Sequence, residues 1–493
     1  MLCACFLLAN FKEADKTHGW RITSMLRQRR CWWKLSLVAS TTWAVVWASP
    51  LFAQNSPNGY QYLDPAYIVG SQAGPSASGS QDELAQRVAE LEKALADIKA
   101  KEAAAAKKNA EKFSVNVGGR VFLDAVSFGQ GAGSRATFGD AQDTVQFRTA
   151  RLGAFGEGFD VFNYRIEMDF AARDSSDEQR TSFKDVYIGV KDLPWLNYVQ
   201  IGHFKEPFSL EELTSNRFIT FMERSTLNSA FVPARNVGIA SYHVSENERM
   251  TFAFGGFRTM KDTPPYAADD DGGYAFTMRA TYLPWYDEAT KGRGLLHLGL
   301  GYSYRDVDDP NQRIRVRPEV AVGPRVVDTG NITNVEDYHL LDPEIALVYG
   351  PFSVQSEYLV AFYNRSVGAD PTFHGAYVQM SYFLTGESRS YNREKGAFDR
   401  VKPIENFFRV RTCDGDVETG WGAWELAYRY SWLDLDDASV LGGTTADHTF
   451  GINWYWNPYM RLMFNYVHAQ VSPANNAPNS DINVFEMRAQ VDF

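Results

Sequence analysis

From Phe485 to Phe493 the chain alternates without a break. Phe485, Met487, Ala489, Val491 and Phe493 fall on one side of an extended strand, and Glu486, Arg488, Gln490 and Asp492 on the other. Such a strand separates two media. Behind an export signal, and ending on an aromatic residue, it points to a transmembrane β-barrel in a bacterial outer membrane. Lipid takes the apolar face and a watery lumen the charged one.

The export signal lies at the other end. Arg27, Arg29, Arg30 and Lys34 form a basic region beside an apolar run, 35–47, too short to span a bilayer. Cleavage is expected after Ala53, making 1–53 a signal peptide; residues 1–24 lack signal character, so Met25 is an alternative start. A retained membrane anchor is the rival reading. Aromatic residues make up 14% of the chain while its mean hydropathy is negative. That excludes a bundle of transmembrane helices and suits a barrel with two interfacial aromatic girdles. Cys3, Cys5 and Cys31 precede the cleavage point, leaving Cys413 alone and no disulfide within one mature chain. Residues 1–53 carry seven Lys/Arg and two Asp/Glu, so their removal takes the net charge from −11 to about −16. A polybasic nucleic-acid binder is excluded.

Between signal and barrel the composition changes twice. Residues 54–81 are rich in Gly, Pro, Ser, Asn and Gln and read as a flexible linker. In 82–112, Leu84, Val88, Leu91, Leu95 and Ile98 recur at 4-3-4-3 spacing, predicting a short periplasmic coiled coil. Its mixed core residues leave dimer and trimer open, and a helix packed on its own barrel is the alternative.

Residues 113–493 read as one all-β domain, an antiparallel barrel of about sixteen strands, the even number such barrels use. Tyr164, Ile166, Met168 and Phe170 flank inward Arg165, Glu167 and Asp169; Phe276, Met278, Ala280 and Tyr282 flank Thr277, Arg279 and Thr281. Trp424, Leu426, Tyr428, Tyr430 and Trp432 alternate in the same way with Glu425, Ala427, Arg429 and Ser431. Short connections (156–163, 191–197, 245–248, 350–351, 456–458) alternate with longer ones (204–234, 259–274, 306–342), as periplasmic turns alternate with external loops. The segment 385–421 is long yet falls on the short-turn side. Either the count slips there or the barrel has one long periplasmic excursion.

The connection 204–235 is too apolar for an exposed loop tip, with Phe204, Phe208, Leu210, Leu213, Phe218 and Phe221. Ser209-Leu-Glu-Glu212 is a capping-box pattern, so a short helix is expected from Ser209. Folded into the lumen, this third long loop narrows the pore and brings Lys205, Arg217, Arg224 and Arg235 to the constriction, where cationic donors replace the water around a permeating anion. Structural salt bridges, Lys205 with Glu206 or Arg224 with Glu223, are the competing use of those charges.

Several separated blocks resemble the phosphate-selective porins O and P. They are Gly119-Arg-Val-Phe-Leu-Asp124, Phe147-Arg-Thr-Ala-Arg-Leu-Gly153, Ile201-Gly-His-Phe-Lys-Glu-Pro-Phe-Ser209 and Phe221-Met-Glu-Arg224, followed by Tyr382-Phe-Leu-Thr-Gly-Glu387, Gly422-Ala-Trp-Glu-Leu426 and Gly451-Ile-Asn-Trp-Tyr455. The resemblance spans the whole barrel. It implies a sixteen-stranded trimeric porin whose constriction binds phosphate or related anions, with Arg148, Arg151, Arg217 and Arg224 as carried-over candidates. It departs from the best-known members because Thr149 and Ala150 separate Arg148 from Arg151, which puts these on opposite faces of a regular strand unless a bulge intervenes.

No nucleophile, phosphate-loop or metal-ligand spacing appears, so neither an enzyme nor a cofactor is expected. Asp269-Asp-Asp271 and Asp306-Val-Asp-Asp309 read as solvated loop tips rather than Ca²⁺ sites. The expected partners are outer-membrane lipid, small anions, two further copies of the chain, and the assembly machinery that reads a terminal aromatic strand through Phe493. The rival function is a structural barrel tied to the cell wall by its coiled coil.

Overall fold

The computed structural model describes residues 113–173, 179–259, 273–411 and 417–493, with parts of a helix between 86 and 99. The signal peptide, the linker, much of the coiled coil and Asp269–Asp271 lie outside the described residues.

Sixteen antiparallel strands close into one barrel, each paired with its neighbours in sequence and the last with the first. In chain order they are β1 (Asn116–Gln130), β2 (Thr144–Gly158), β3 (Phe162–Arg173), β4 (Gln179–Leu193), β5 (Asn197–Lys205) and β6 (Arg235–Val244). Next come β7 (Met250–Arg258), β8 (Tyr274–Tyr286), β9 (Gly294–Asp306), β10 (Val335–Tyr349) and β11 (Phe352–Arg365). The last five are β12 (Thr372–Phe383), β13 (Ala423–Asp437), β14 (Val440–Asn457), β15 (Met460–Pro473) and β16 (Ser480–Asp492). The expected even count holds.

Alternation decides which face is which. On β16, Glu486, Arg488, Gln490 and Asp492 are buried in the barrel while Phe485 and Met487 stand exposed; on β8, Thr277, Arg279 and Thr281 are buried and Phe276 and Tyr282 exposed. Aromatic rings gather at the periplasmic ends of outward faces: Trp424 stacks on Trp454 at 4.9 Å, and Phe407 packs against both Trp454 and Trp456.

Closure rests on the two ends of the barrel. β1 and β16 pair from Arg120↔Asp492 to Gln130↔Ile482. Phe493 extends the seam: its carbonyl accepts from the Gly119 N–H and its own N–H donates to the Gly119 carbonyl, both at 3.0 Å. A side chain at Gly119 has no room, since its Cβ would stand 2.5 Å from the Arg151 carbonyl oxygen and 2.8 Å from the Phe493 ring.

Two expectations about connections are settled. The count does not slip at the long segment between β12 and β13, which is a true excursion on the short-turn side carrying the small hairpins Tyr391–Asn392/Ala397–Phe398 and Phe408–Arg411/Val417–Gly420. β10, by contrast, begins at Val335, seven residues before the expected end of the loop at 342. Its inward Leu340 is covered by apolar residues of the 307–334 connection, which breaks the polar-in pattern that marks a strand. The described residues 88–97 are helical, and all of them are exposed, Val88, Leu91 and Leu95 included.

Replacing Gly119 by Val should strain the seam by about 1–3 kcal/mol through overpacking. A lowered guanidinium midpoint of the folded barrel is expected; an unchanged midpoint would show that the seam tolerates a Cβ.

Candidate functional site

The segment 206–234, between β5 and β6, is tied to the inner wall by its own backbone. Ser209 caps the helix Leu210–Leu213, its Oγ accepting from the Glu212 N–H at 3.2 Å. Glu212 does not close the expected capping box; its carboxylate turns to Lys205 and Arg224. Glu357 on β11 receives the same helix start, accepting from Ser209 Oγ (2.6 Å), Leu210 N (3.1 Å) and Glu211 N (2.8 Å). On the other side, wall donors reach loop carbonyls: Arg461 to Ile219 O at 2.9 Å, Asn453 to Thr220 O at 2.8 Å, and Gln490 to Arg217 O at 3.1 Å. Phe208, Leu210, Phe221 and Met222 are buried. The apolar run thus faces the inner wall and its packing.

Two further segments enter the barrel. In 307–334, Ile314, Val316, Val326 and Val327 join one apolar cluster with Leu340, Leu359 and Phe208. Glu319 anchors this segment, accepting from Arg429 Nη2 at 2.6 Å and also from Ser431 and Thr449. The periplasmic excursion enters from the opposite end. Arg279 donates to Gly396 O at 2.9 Å, Tyr391 bonds His297 at 2.7 Å, and the Arg389 guanidinium lies 3.6 Å from the Phe398 ring centroid while donating to Gln355.

Among the described residues, two cavities lie along the wall from β1 to β6. The inner one, about 180 Å³, is lined by Arg120, Arg151, Arg165, Lys205 and Arg235 from the strands, Arg217 and Arg224 from the third loop, and Lys395 from the excursion. Asp185 and Asp399 are its carboxylates. The outer one, about 240 Å³, is lined by Arg148, Arg151 and Lys184 from the strands and Arg317 and Arg325 from the 307–334 segment, with Asp169 as its carboxylate. Arg151 lines both.

Five of the six residues singled out in the sequence, Arg151, Lys205, Arg217, Arg224 and Arg235, therefore meet in one cavity, and Arg148 in the next. The bulge that Arg148 and Arg151 require is present: β1 pairs Phe122↔Thr149 and then Leu123↔Phe147, leaving Arg148 as the extra residue. The structural salt bridges exist but with other partners. Lys205 and Arg224 share Glu212, each at 3.0 Å. Glu206 instead takes Arg305 at 2.8 Å, and Glu223 takes Arg148 and Arg488, each at 2.8 Å. Neighbours in an extended chain point apart, so adjacency in sequence was a poor guide to pairing. Arg235 pairs with Asp185 at 2.9 Å, Arg217 with Asp492 at 3.6 Å, and Arg151 with Asp169 at 2.8 Å. Arg120, Arg165, Lys184, Arg317, Arg325 and Lys395 were missed. The inward phase of their strands pointed to Arg120 and Arg165. Lys184 turns inward beside Asp185 where β4 carries an extra residue, between Ile166↔Val186 and Met168↔Phe183. Arg317, Arg325 and Lys395 depend on long connections whose path no periodicity reveals.

The chain belongs to the phosphate-selective porin O and P family, whose model matches residues 115–493. It is an outer-membrane porin. Porin O of Pseudomonas aeruginosa is 28% identical over 419 residues, covering 78% of this chain and 89% of that one. An anion-selective porin from Comamonas acidovorans superposes with a TM-score of 0.46 at 13% identity, covering 78% of this chain and 100% of that one. The channel DcaP of Acinetobacter baumannii gives 0.45 at 14% identity, covering 77% and 97%.

Two predictions follow the loop's anchors. Glu357→Ala leaves three loop donors without their acceptor, so a loss of about 2–4 kcal/mol in stability and a larger, noisier single-channel conductance are expected; unchanged conductance would mean that Glu357 does not hold the loop. Burial works to raise the Glu223 carboxyl, yet Arg148 and Arg488 outweigh it and hold it at about 2. Its folded value lies below the unfolded one, so its contribution to stability is present above the usual carboxylate range and is lost as pH falls toward 2. The tether of Arg148 and Arg488 to Glu223 should therefore contribute no conductance transition between about pH 8 and pH 5; a transition in that window that Glu223→Gln abolishes would overturn this assignment.

Proposed function

We propose that this porin passes small hydrophilic anions such as phosphate by diffusion through a constriction made where the third loop narrows the lumen. Arg148, Arg151, Lys205, Arg217, Arg224 and Arg235 serve it as anion-binding residues. The observation that carries the reading is the inner cavity: eight cationic side chains and two carboxylates line about 180 Å³. Cations outnumber carboxylates eight to two on that lining, so an anion entering there exchanges its hydration for guanidinium and ammonium donors more readily than a cation finds carboxylates. The outer cavity continues the same sign, with five cations and one carboxylate. The acidic net charge of the chain does not oppose this, because selectivity follows the local field at the narrowest point. The family's designation as phosphate-selective supports phosphate as the anion.

The reading includes a homotrimer set in outer-membrane lipid, assembled by machinery that engages Phe493, with 82–112 as a coiled coil behind the 1–53 signal and the 54–81 linker. The exposed Val88, Leu91 and Leu95 support association of that helix with copies of itself.

Reversal potentials across planar bilayers under a KCl gradient, followed by phosphate titration, test the proposal. Anion preference and phosphate block are expected, with Arg217→Ala and Arg224→Ala each lowering the preference several-fold. Absence of conductance steps would sink the pore, and cation preference without phosphate block would sink the anion assignment.

A further inference from the structure

The cations of the two cavities are not equivalent. In the inner cavity Arg120 is held by Glu167 at 2.7 Å, Arg165 by Asp185 at 3.9 Å, and the remaining arginines and Lys205 by the carboxylates already named. In the outer cavity Arg148 is fixed by a two-pronged contact to Glu223, at 2.8 and 2.9 Å. Arg317 and Arg325 donate to the carbonyls of Gly323 and Arg315. A guanidinium spent in this way shows a permeating anion a dipole and few free N–H groups. Two ammonium groups differ. Among the described residues, neither Lys184 nor Lys395 has an ion pair or a side-chain hydrogen bond, and each lines one cavity.

Both are held in position by backbone. Lys184 sits on β4, and its carbonyl receives His203 from the neighbouring strand. Lys395 occupies the tip between Tyr391–Asn392 and Ala397–Phe398, where its N–H donates to Asn392 Oδ1 at 3.0 Å. Beside it Gly396, at φ 57°, presents its carbonyl to Arg279. The side chain itself is exposed. A lysine offers three rotatable donors on a flexible stem, so it can follow an anion that a paired arginine only frames.

We infer that Lys184 and Lys395 are the specificity-determining residues of the channel, one in each cavity, each offering a bound phosphate an ammonium group that is engaged in no ion pair among the described residues. The ion-paired arginines act as the frame around them. The periplasmic excursion is then part of the selectivity apparatus, because it delivers one of the two charges. This rests on the anion reading of the same cavities and narrows it to two residues absent from the sequence-derived set.

The experiment is phosphate block of chloride current through single channels of the full chain, with Lys184→Gln, Lys395→Gln and their Arg counterparts. Each Gln variant should raise the half-blocking phosphate concentration about tenfold, while each Arg variant stays within about threefold of the unmodified channel. Lys191→Gln, a periplasmic-end lysine paired with Glu157, should leave block unchanged. Heat-modifiable mobility on gels reports assembly. Lys395→Glu, at an exposed tip, provides a second variant that should reduce anion preference further than Lys395→Gln. Unaltered block in both Gln variants overturns this inference alone, and in one of them removes that lysine. An unmodified channel without anion preference or phosphate block overturns the reading beneath it.

Discussion

The interior depends on buried guanidinium–carboxylate pairs between wall and loop. Arg488 on β16 meets Asp124 on β1 through two bonds of 2.7 Å and also reaches Glu223 of the third loop. Arg429 on β13 joins Glu319 from one connection to Glu211 from another. These arginines are almost fully buried, as are Asp124, Glu211 and Glu319. Removing one partner from such a pair costs about 3–5 kcal/mol because the other charge is stranded. The pairs therefore fix register as well as position: a loop displaced by one residue would leave several charges without partners. A lumen lined by polar side chains can be filled in an ordered way only if those side chains dictate what fills it.

The same chemistry explains why a strongly acidic chain encloses a basic path. Acids on the wall from β10 to β14, such as Glu357 and Glu425, are consumed in holding loop backbone and buried side chains. Cations predominate on the other side, from β1 to β6, where the loops leave space. Charge is segregated by packing, and the sum over the sequence says nothing about that segregation.

This marks what could be read in advance. The barrel was legible because alternation is a local property: the inward and outward sets of β3, β8, β13 and β16 follow from residue order alone. Apolar content revealed that 206–234 packs inside, and Ser209 revealed its helix start. The pairing of Lys205 and Arg224 with Glu212 was hidden, since it depends on how the loop turns. Lys395 was hidden more deeply. Whether a periplasmic segment hangs below a barrel or enters it depends on contacts such as Tyr391 with His297, made between residues 94 positions apart.

The bulge at Arg148 joins these levels. One extra residue in β2 turns Arg148 inward beside Thr149 without moving Arg151 from its own inward position opposite Arg120. A regular strand would set those arginines on opposite faces and send one guanidinium toward lipid, at a cost of about 2–4 kcal/mol near mid-bilayer. With the bulge, Arg148 secures Glu223 and hence the third loop, while Arg151 lines both cavities. The irregularity that interrupts the alternation is thus the feature that lets one strand anchor the third loop and also carry the basic surface past it.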